Sequence, residues 1–155
     1  MAFDRTWIFA ILIEDVPGSL MDVVSAFSYR GVSIESVLGF GRPVCDTGLV
    51  ILGVRASEKR SRELDRVVRR LPVVSKVLRF PAPDDASWRT VLIERLKPKP
   101  AAGPAEPGLA AIPLTVVDLT DCWALVSGPE PAVRGFLRGS IDRDEVGKHV
   151  EVLLD

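Results

Sequence analysis

The sequence predicts an α+β protein of two small sheets, the first built in the order β-α-β-β-α-β. Three observations carry that expectation. Two apolar stripes, Leu20/Val23/Val24/Phe27 and Leu64/Val67/Val68/Leu71, each recur at i, i+3, i+4 and i+7, the spacing of one buried helix face. Between and around them lie short runs rich in Val, Ile and Leu. Glycine or proline marks nearly every junction.

The run from Trp7 to Ile13 is almost continuously apolar, as a strand buried on both faces should be. It stops at Glu14-Asp15-Val16-Pro17-Gly18. Pro17 suits the first turn of a helix, where its missing N–H is no loss, which puts Asp15 or Val16 near the N-cap. Gly31 ends that helix by accepting a left-handed conformation. Ser33 to Leu38 alternates like a strand with one buried face, and Gly39, Gly41 and Pro43 break it. A turn near Asp46-Thr47 leads into a third strand, Gly48 to Val54, antiparallel to the second. Ser57 can cap the next helix. Pro72 prevents its continuation, and Val73 to Phe80 forms a fourth strand. This is the split-βαβ, ferredoxin-like order, with both helices on one face of a four-stranded antiparallel sheet.

Residues 81–87, with Pro81, Pro83 and Asp84-Asp85, read as a linker between a first domain at 1–80 and a second at 88–155. The second carries strands at Arg89–Leu96, Pro113–Leu119, Cys122–Ser127 and His149–Leu154, with a helix at Pro129–Gly139 burying Val133, Phe136 and Leu137. Its element order matches the first domain without the first helix, whose place is taken by the Pro/Ala/Gly-rich stretch 97–108. A degenerate repeat of the first domain is the expectation.

The chain has 155 residues, 47% of them hydrophobic and 26% charged, enough apolar matter for a core. A net charge of −1 supplies no field toward nucleic acid or an anionic membrane. No apolar run approaches the roughly 20 residues that span a bilayer. The N-terminus lacks the layout of a signal peptide, so a cytoplasmic location is expected. Cys45 and Cys122 form no disulfide framework, and with His149 make at most an incomplete metal site at no metal-ligand spacing. Neither a nucleophile–base motif nor a Walker loop is present, and Gly39-Phe40-Gly41 lacks the rest of a dinucleotide fingerprint. The strand Leu49–Val54 has no stacking aromatics of the kind an RNA-binding sheet of this topology uses. No cofactor is expected. The basic residues Lys59, Arg60, Arg62, Arg66, Arg69 and Arg70 are interrupted by Glu63 and Asp65 and read as a solvated helix face, or else as a docking surface for an acidic partner.

The informative segment is the junction Asp15-Val16-Pro17-Gly18-Ser19-Leu20. A helix N-terminus offers unpaired amides and the positive end of the helix dipole, and a glycine there admits a ligand carboxylate. Asp15 or Ser19 can contact the ammonium or carboxylate of a small zwitterion. Val32-Ser33-Ile34-Glu35 lies beyond the far end of the helix and reaches such a site only across a two-fold interface.

The stretch Ile11 to Leu20, followed by Phe27 to Ser36, resembles the ACT domain, and most of all that of the acetolactate synthase small, regulatory subunit. The resemblance runs on through Glu63–Leu71 and Val73–Phe80. Val116–Leu119, Val126–Gly128 and Val133–Leu137 resemble that subunit's C-terminal domain loosely. The resemblance implies a non-catalytic homodimer paired through ACT domains. It implies an amino-acid effector, usually valine, bound by Asp15, Val16, Pro17, Gly18, Ser19 and Leu20 of one subunit and Val32, Ser33, Ile34 and Glu35 of the other. It also implies a thiamine-diphosphate-dependent catalytic partner in branched-chain amino-acid biosynthesis. Asp15 and Ser33 stand where that family commonly has asparagine. Two other readings stay open: a stand-alone ACT-repeat sensor without a synthase partner, and a ferredoxin-like enzyme with its site at a dimer interface.

Overall fold

A computed structural model of the chain describes residues 4–41, 47–82, 88–96 and 114–152. They divide into two compact units, 4–82 and 88–152. The fold is α+β, with two four-stranded antiparallel sheets and three helices among the described residues.

The first unit contains β1 (Arg5–Ile13), α1 (Ser19–Ser28), β2 (Ile34–Phe40), β3 (Gly48–Ala56), α2 (Glu58–Val68) and β4 (Val74–Pro81). Its strands lie in the order β2-β3-β1-β4, the ferredoxin-like arrangement. β1 is central, as its unbroken apolar run predicts. It pairs with β3 from Arg5↔Ala56 to Ile13↔Gly48 and with β4 on its other side. Both helices cover one face. Phe9, Ile11 and Ile13 of β1 with Val50, Leu52 and Val54 of β3 meet Val23, Ala26 and Phe27 of α1 and Leu64 and Val68 of α2. The Phe9 and Phe27 rings meet edge to face at 5.1 Å. Val67 and Leu71 of the predicted second stripe are only partly buried.

Trp7, near one end of the sheet, is buried in this core and donates its indole N–H to the Ala56 carbonyl at 3.0 Å. The Arg79 guanidinium lies 4.5 Å from its ring centroid and that of Arg5 5.6 Å away. Arg79 also donates to the buried Ser61 hydroxyl at 2.7 Å, tying β4 to α2. Ser57 caps α2 as its sequence position predicts, accepting from the Arg60 N–H.

The second unit contains β5 (Trp88–Arg95), β6 (Thr115–Asp118), β7 (Trp123–Pro129), α3 (Glu130–Asp142) and β8 (Val146–Glu151). The order β6-β7-β5-β8 repeats that of the first sheet. Val91, Ile93, Ala124, Val126 and Val146 pack with Val133 of α3, and Phe136 and Leu137 flank them. The expected linker at 83–87, the turn at Asp46, Cys45 and the Pro/Ala/Gly-rich stretch 97–108 lie outside the described residues.

Two expectations need correction. The last strand begins at Val146, not His149. The end of α3 has the paired bonds of a Schellman motif, Glu145 N–H to the Ser140 carbonyl and Asp144 N–H to that of Ile141. The left-handed residue is Asp144, at φ 53°, so no glycine advertised the turn. The first helix begins later than expected: its N-cap is Gly18, not Asp15 or Val16.

Because Phe27 is fully buried between α1 and the sheet, Phe27→Ala should cost about 3–5 kcal/mol of stability, measured by urea unfolding. A loss below about 1 kcal/mol would place this ring outside the core.

Candidate functional site

The chain leaves β1 with Glu14 still bonded to its neighbour strand, its N–H donating to the Val73 carbonyl at 2.8 Å. Ser19 N–H then donates to the Val16 carbonyl at 3.2 Å, closing a four-residue turn around Pro17 and Gly18. Gly18 has φ 96° and ψ −19°, the third position of a type II turn, with proline at the favoured second position. Proline and glycine thus build a separate turn ahead of the helix, which is why the N-cap falls at Gly18.

The first helical bond runs from Asp22 N–H to the Gly18 carbonyl. The Leu20 and Met21 N–H groups have no acceptor among the described residues, and no side chain caps this end. A β-carbon on Gly18 would meet nothing within 4 Å, so the space before the turn is open. Val16, Leu20 and Met21 are exposed around it. Ser19, the first helical residue, is only 2% exposed, and its hydroxyl has no hydrogen-bond partner among the described residues. Free amides, the positive helix end and an apolar rim together suit a small carboxylate with an apolar body.

Asp15 extends sideways, across the ends of β3 and β2. Its Cβ lies 3.5 Å from where Gly48 would carry a β-carbon, and its Oδ2 and Oδ1 lie 2.9 and 3.3 Å from the corresponding point on Gly41. Two glycines therefore make room for this side chain. Their spacing in sequence had marked only strand ends, and the link to Asp15 appears once β2 and β3 are paired. Met21 was also missed, because its amide counts as unpaired only once the cap is placed at Gly18.

Val32, Ser33, Ile34 and Glu35 lie at the opposite end of the sheet. Ile34 is level with Val54 and Trp7, six residues up β1 from Ile13, or about 20 Å at strand rise. Val32 and Ile34 pack against the core. Glu35 accepts from Arg55 Nε at 2.9 Å and from the Thr6 hydroxyl at 3.0 Å, and the Ser33 carbonyl accepts from the Arg55 N–H.

Elsewhere the described residues offer less. Three of the basic residues in α2 and at its C-cap are paired along the helix, Arg62 with Glu58, Arg60 with Glu63 and Arg69 with Asp65. The Arg62 hydrogen bond and charge hold the exposed Glu58 carboxyl below its usual range. His149 is exposed on β8, and no cluster of metal-ligating side chains occurs among the described residues.

Replacing Gly18 by alanine forces an L-residue into the left-handed region. Gly18→Ala should destabilise the chain by about 1–2 kcal/mol in denaturant titration, and an unchanged midpoint would refute the turn geometry.

No protein-family model matches the chain, and no curated protein matches it. Among solved structures it is similar to the acetolactate synthase small subunit from Thermotoga maritima, with 17% identity and a TM-score of 0.46 over 96% of this chain and 93% of that one. It is similar to the regulatory subunit of aspartate kinase from Thermus thermophilus, with 17% identity and a TM-score of 0.44 over 90% and 92% of the two chains.

Proposed function

We propose that this chain is a non-catalytic regulatory subunit that senses a small amino acid. Residues 1–80 form an ACT domain in this reading, and 88–155 a C-terminal domain of the same ancestry. The effector lies at the turn Asp15–Leu20, its carboxylate on the Leu20 and Met21 amides and its side chain against Val16, Leu20 and Met21. The partner is a thiamine-diphosphate-dependent acetolactate synthase catalytic subunit, and the pathway is branched-chain amino-acid biosynthesis. The observation that carries the proposal is the open proline-glycine turn with two unpaired helix amides, set within a sequence that resembles that family over residues 7–80.

A homodimer completes the picture. β2 is an edge strand of the first sheet, with Val37 exposed on it, and Leu20 and Met21 are exposed on α1. Pairing through that edge supplies partners for the open strand. It also brings Val32–Glu35 of one copy toward the turn of the other, a meeting that the 20 Å separation forbids within a protomer. Regulation is then linkage: the effector shifts the catalytic subunit only as far as it prefers one conformation of the complex.

A ligand that binds the folded dimer alone raises its melting temperature, by the equivalent of about 2.7 kcal/mol at a hundred times its Kd. In a thermal-shift screen of all twenty amino acids, run with and without the catalytic subunit, valine, leucine or isoleucine should stabilise the chain. No shift under either condition would end the sensing proposal. Co-purification with the catalytic subunit separates this function from that of a stand-alone sensor. Val37→Glu should convert the dimer to monomer in sedimentation velocity, and an intact dimer would exclude pairing along β2.

A further inference from the structure

We propose that the outer face of α2, through Lys59, Arg66 and Arg70, docks a row of carboxylates on the surface of the catalytic partner. This deepens the function proposed above by naming its docking surface, and it rests on that reading.

The placement follows from the helix period. Lys59, Arg66 and Arg70 are seven and four residues apart, so at 3.6 residues per turn they fall within about 40° of one another. They lie opposite Leu64 and Val68, the fully buried side of the helix. Arg70 falls beyond the last helical residue, but its N–H donates to the Val67 carbonyl at 3.1 Å, which keeps the chain winding. The helix rise sets the three cations about 10 and 6 Å apart along one line. All three are exposed.

The disposition of the acids distinguishes this line from an ordinary solvated face. Glu58, Glu63 and Asp65 are paired with Arg62, Arg60 and Arg69. Lys59, Arg66 and Arg70 have no ion-pair partner among the described residues. Residues 57–71 carry six basic and three acidic groups in a chain whose net charge is −1, so the positive excess is local. Its platform is firm, since Ser57 caps α2 and Leu64 and Val68 fix the inner face.

Other anionic partners fit less well. The apolar side of α2 is committed to the core, leaving none to enter a bilayer. No aromatic side chain lies on α2 to stack a base. A protein surface with carboxylates at matching intervals fits the line. Exposed charge pairs add little affinity but speed encounter, so the stripe acts on the association rate.

The test is the association of the full chain with the acetolactate synthase catalytic subunit of the same organism, followed by surface plasmon resonance. Between about 0.1 and 1 M sodium chloride the Debye length falls from about 10 to 3 Å, and the wild-type association rate should fall about ten-fold or more. The triple variant Lys59→Glu/Arg66→Glu/Arg70→Glu should associate about ten-fold more slowly at the lower salt and lose most of the salt dependence. Arg66→Glu alone should slow association about three-fold. Lys76→Glu, the same charge change on an exposed lysine of β4, should leave it near the wild type. Every variant should keep the wild-type melting temperature and response to amino acids, which separates lost docking from lost folding or sensing. An unchanged association rate in the folded triple variant overturns this proposal and leaves the regulatory function standing. Equal slowing by Arg66→Glu and Lys76→Glu does the same, because it shows an effect of net charge alone. That pair of single variants decides even if the triple variant fails to fold. Should the triple variant lose binding to duplex DNA or phosphatidylserine vesicles while its association with the catalytic subunit is unchanged, the stripe serves that polyanion and protein docking is overturned. No association of the wild type with the catalytic subunit overturns that partner, and this docking surface with it.

Discussion

The start of α1 depends on one hydrogen bond, from the Ser19 N–H to the Val16 carbonyl. It holds Pro17 and Gly18 in a turn of their own, so that α1 starts after the glycine. Had Asp15 or Val16 capped the helix, a side chain or carbonyl would have taken up the first amides, as caps do. The later start leaves Leu20 and Met21 donors open and frees Asp15 to lie across the strand ends instead. A local backbone preference of two residues thus decides which groups face solvent.

Most of the first unit was legible because its signals are redundant. Two amphipathic stripes, an apolar central strand, Ser57 as a cap and Gly31 as a terminator all agree on the same fold. Gly31 adopts φ 65°, and the Ser28 and Phe27 carbonyls accept from the amides of Gly31 and Val32, as its sequence position predicts. What escaped was what depends on cancellation or on distance. The start of β8 was hidden because an aspartate, not a glycine, holds the left-handed turn at 144. The slot around Asp15 was hidden because it joins residues 15, 41 and 48, brought together only by strand pairing.

The second unit repeats the first sheet's strand order with a different balance of cover. Only α3 contributes helical side chains to its core among the described residues. Its polar contacts are correspondingly more conspicuous: Trp88 donates to the Ser127 hydroxyl at 2.9 Å, Thr90 shares a 3.0 Å bond with the same oxygen, and Arg89 bridges to Glu151. The same strand order carries an apolar core in both units, covered by two helices in the first and by α3 in the second among the described residues.

The tryptophans are divided unevenly between the units, with Trp7 in the first and Trp88 and Trp123 in the second. Trp7 is anchored by its N–H and lies within range of two guanidinium groups, an environment that melting would abolish. Its emission is therefore a built-in optical gauge of the first unit alone. Once the other two indoles are replaced by phenylalanine, the unfolding of one half can be watched without labelling the molecule.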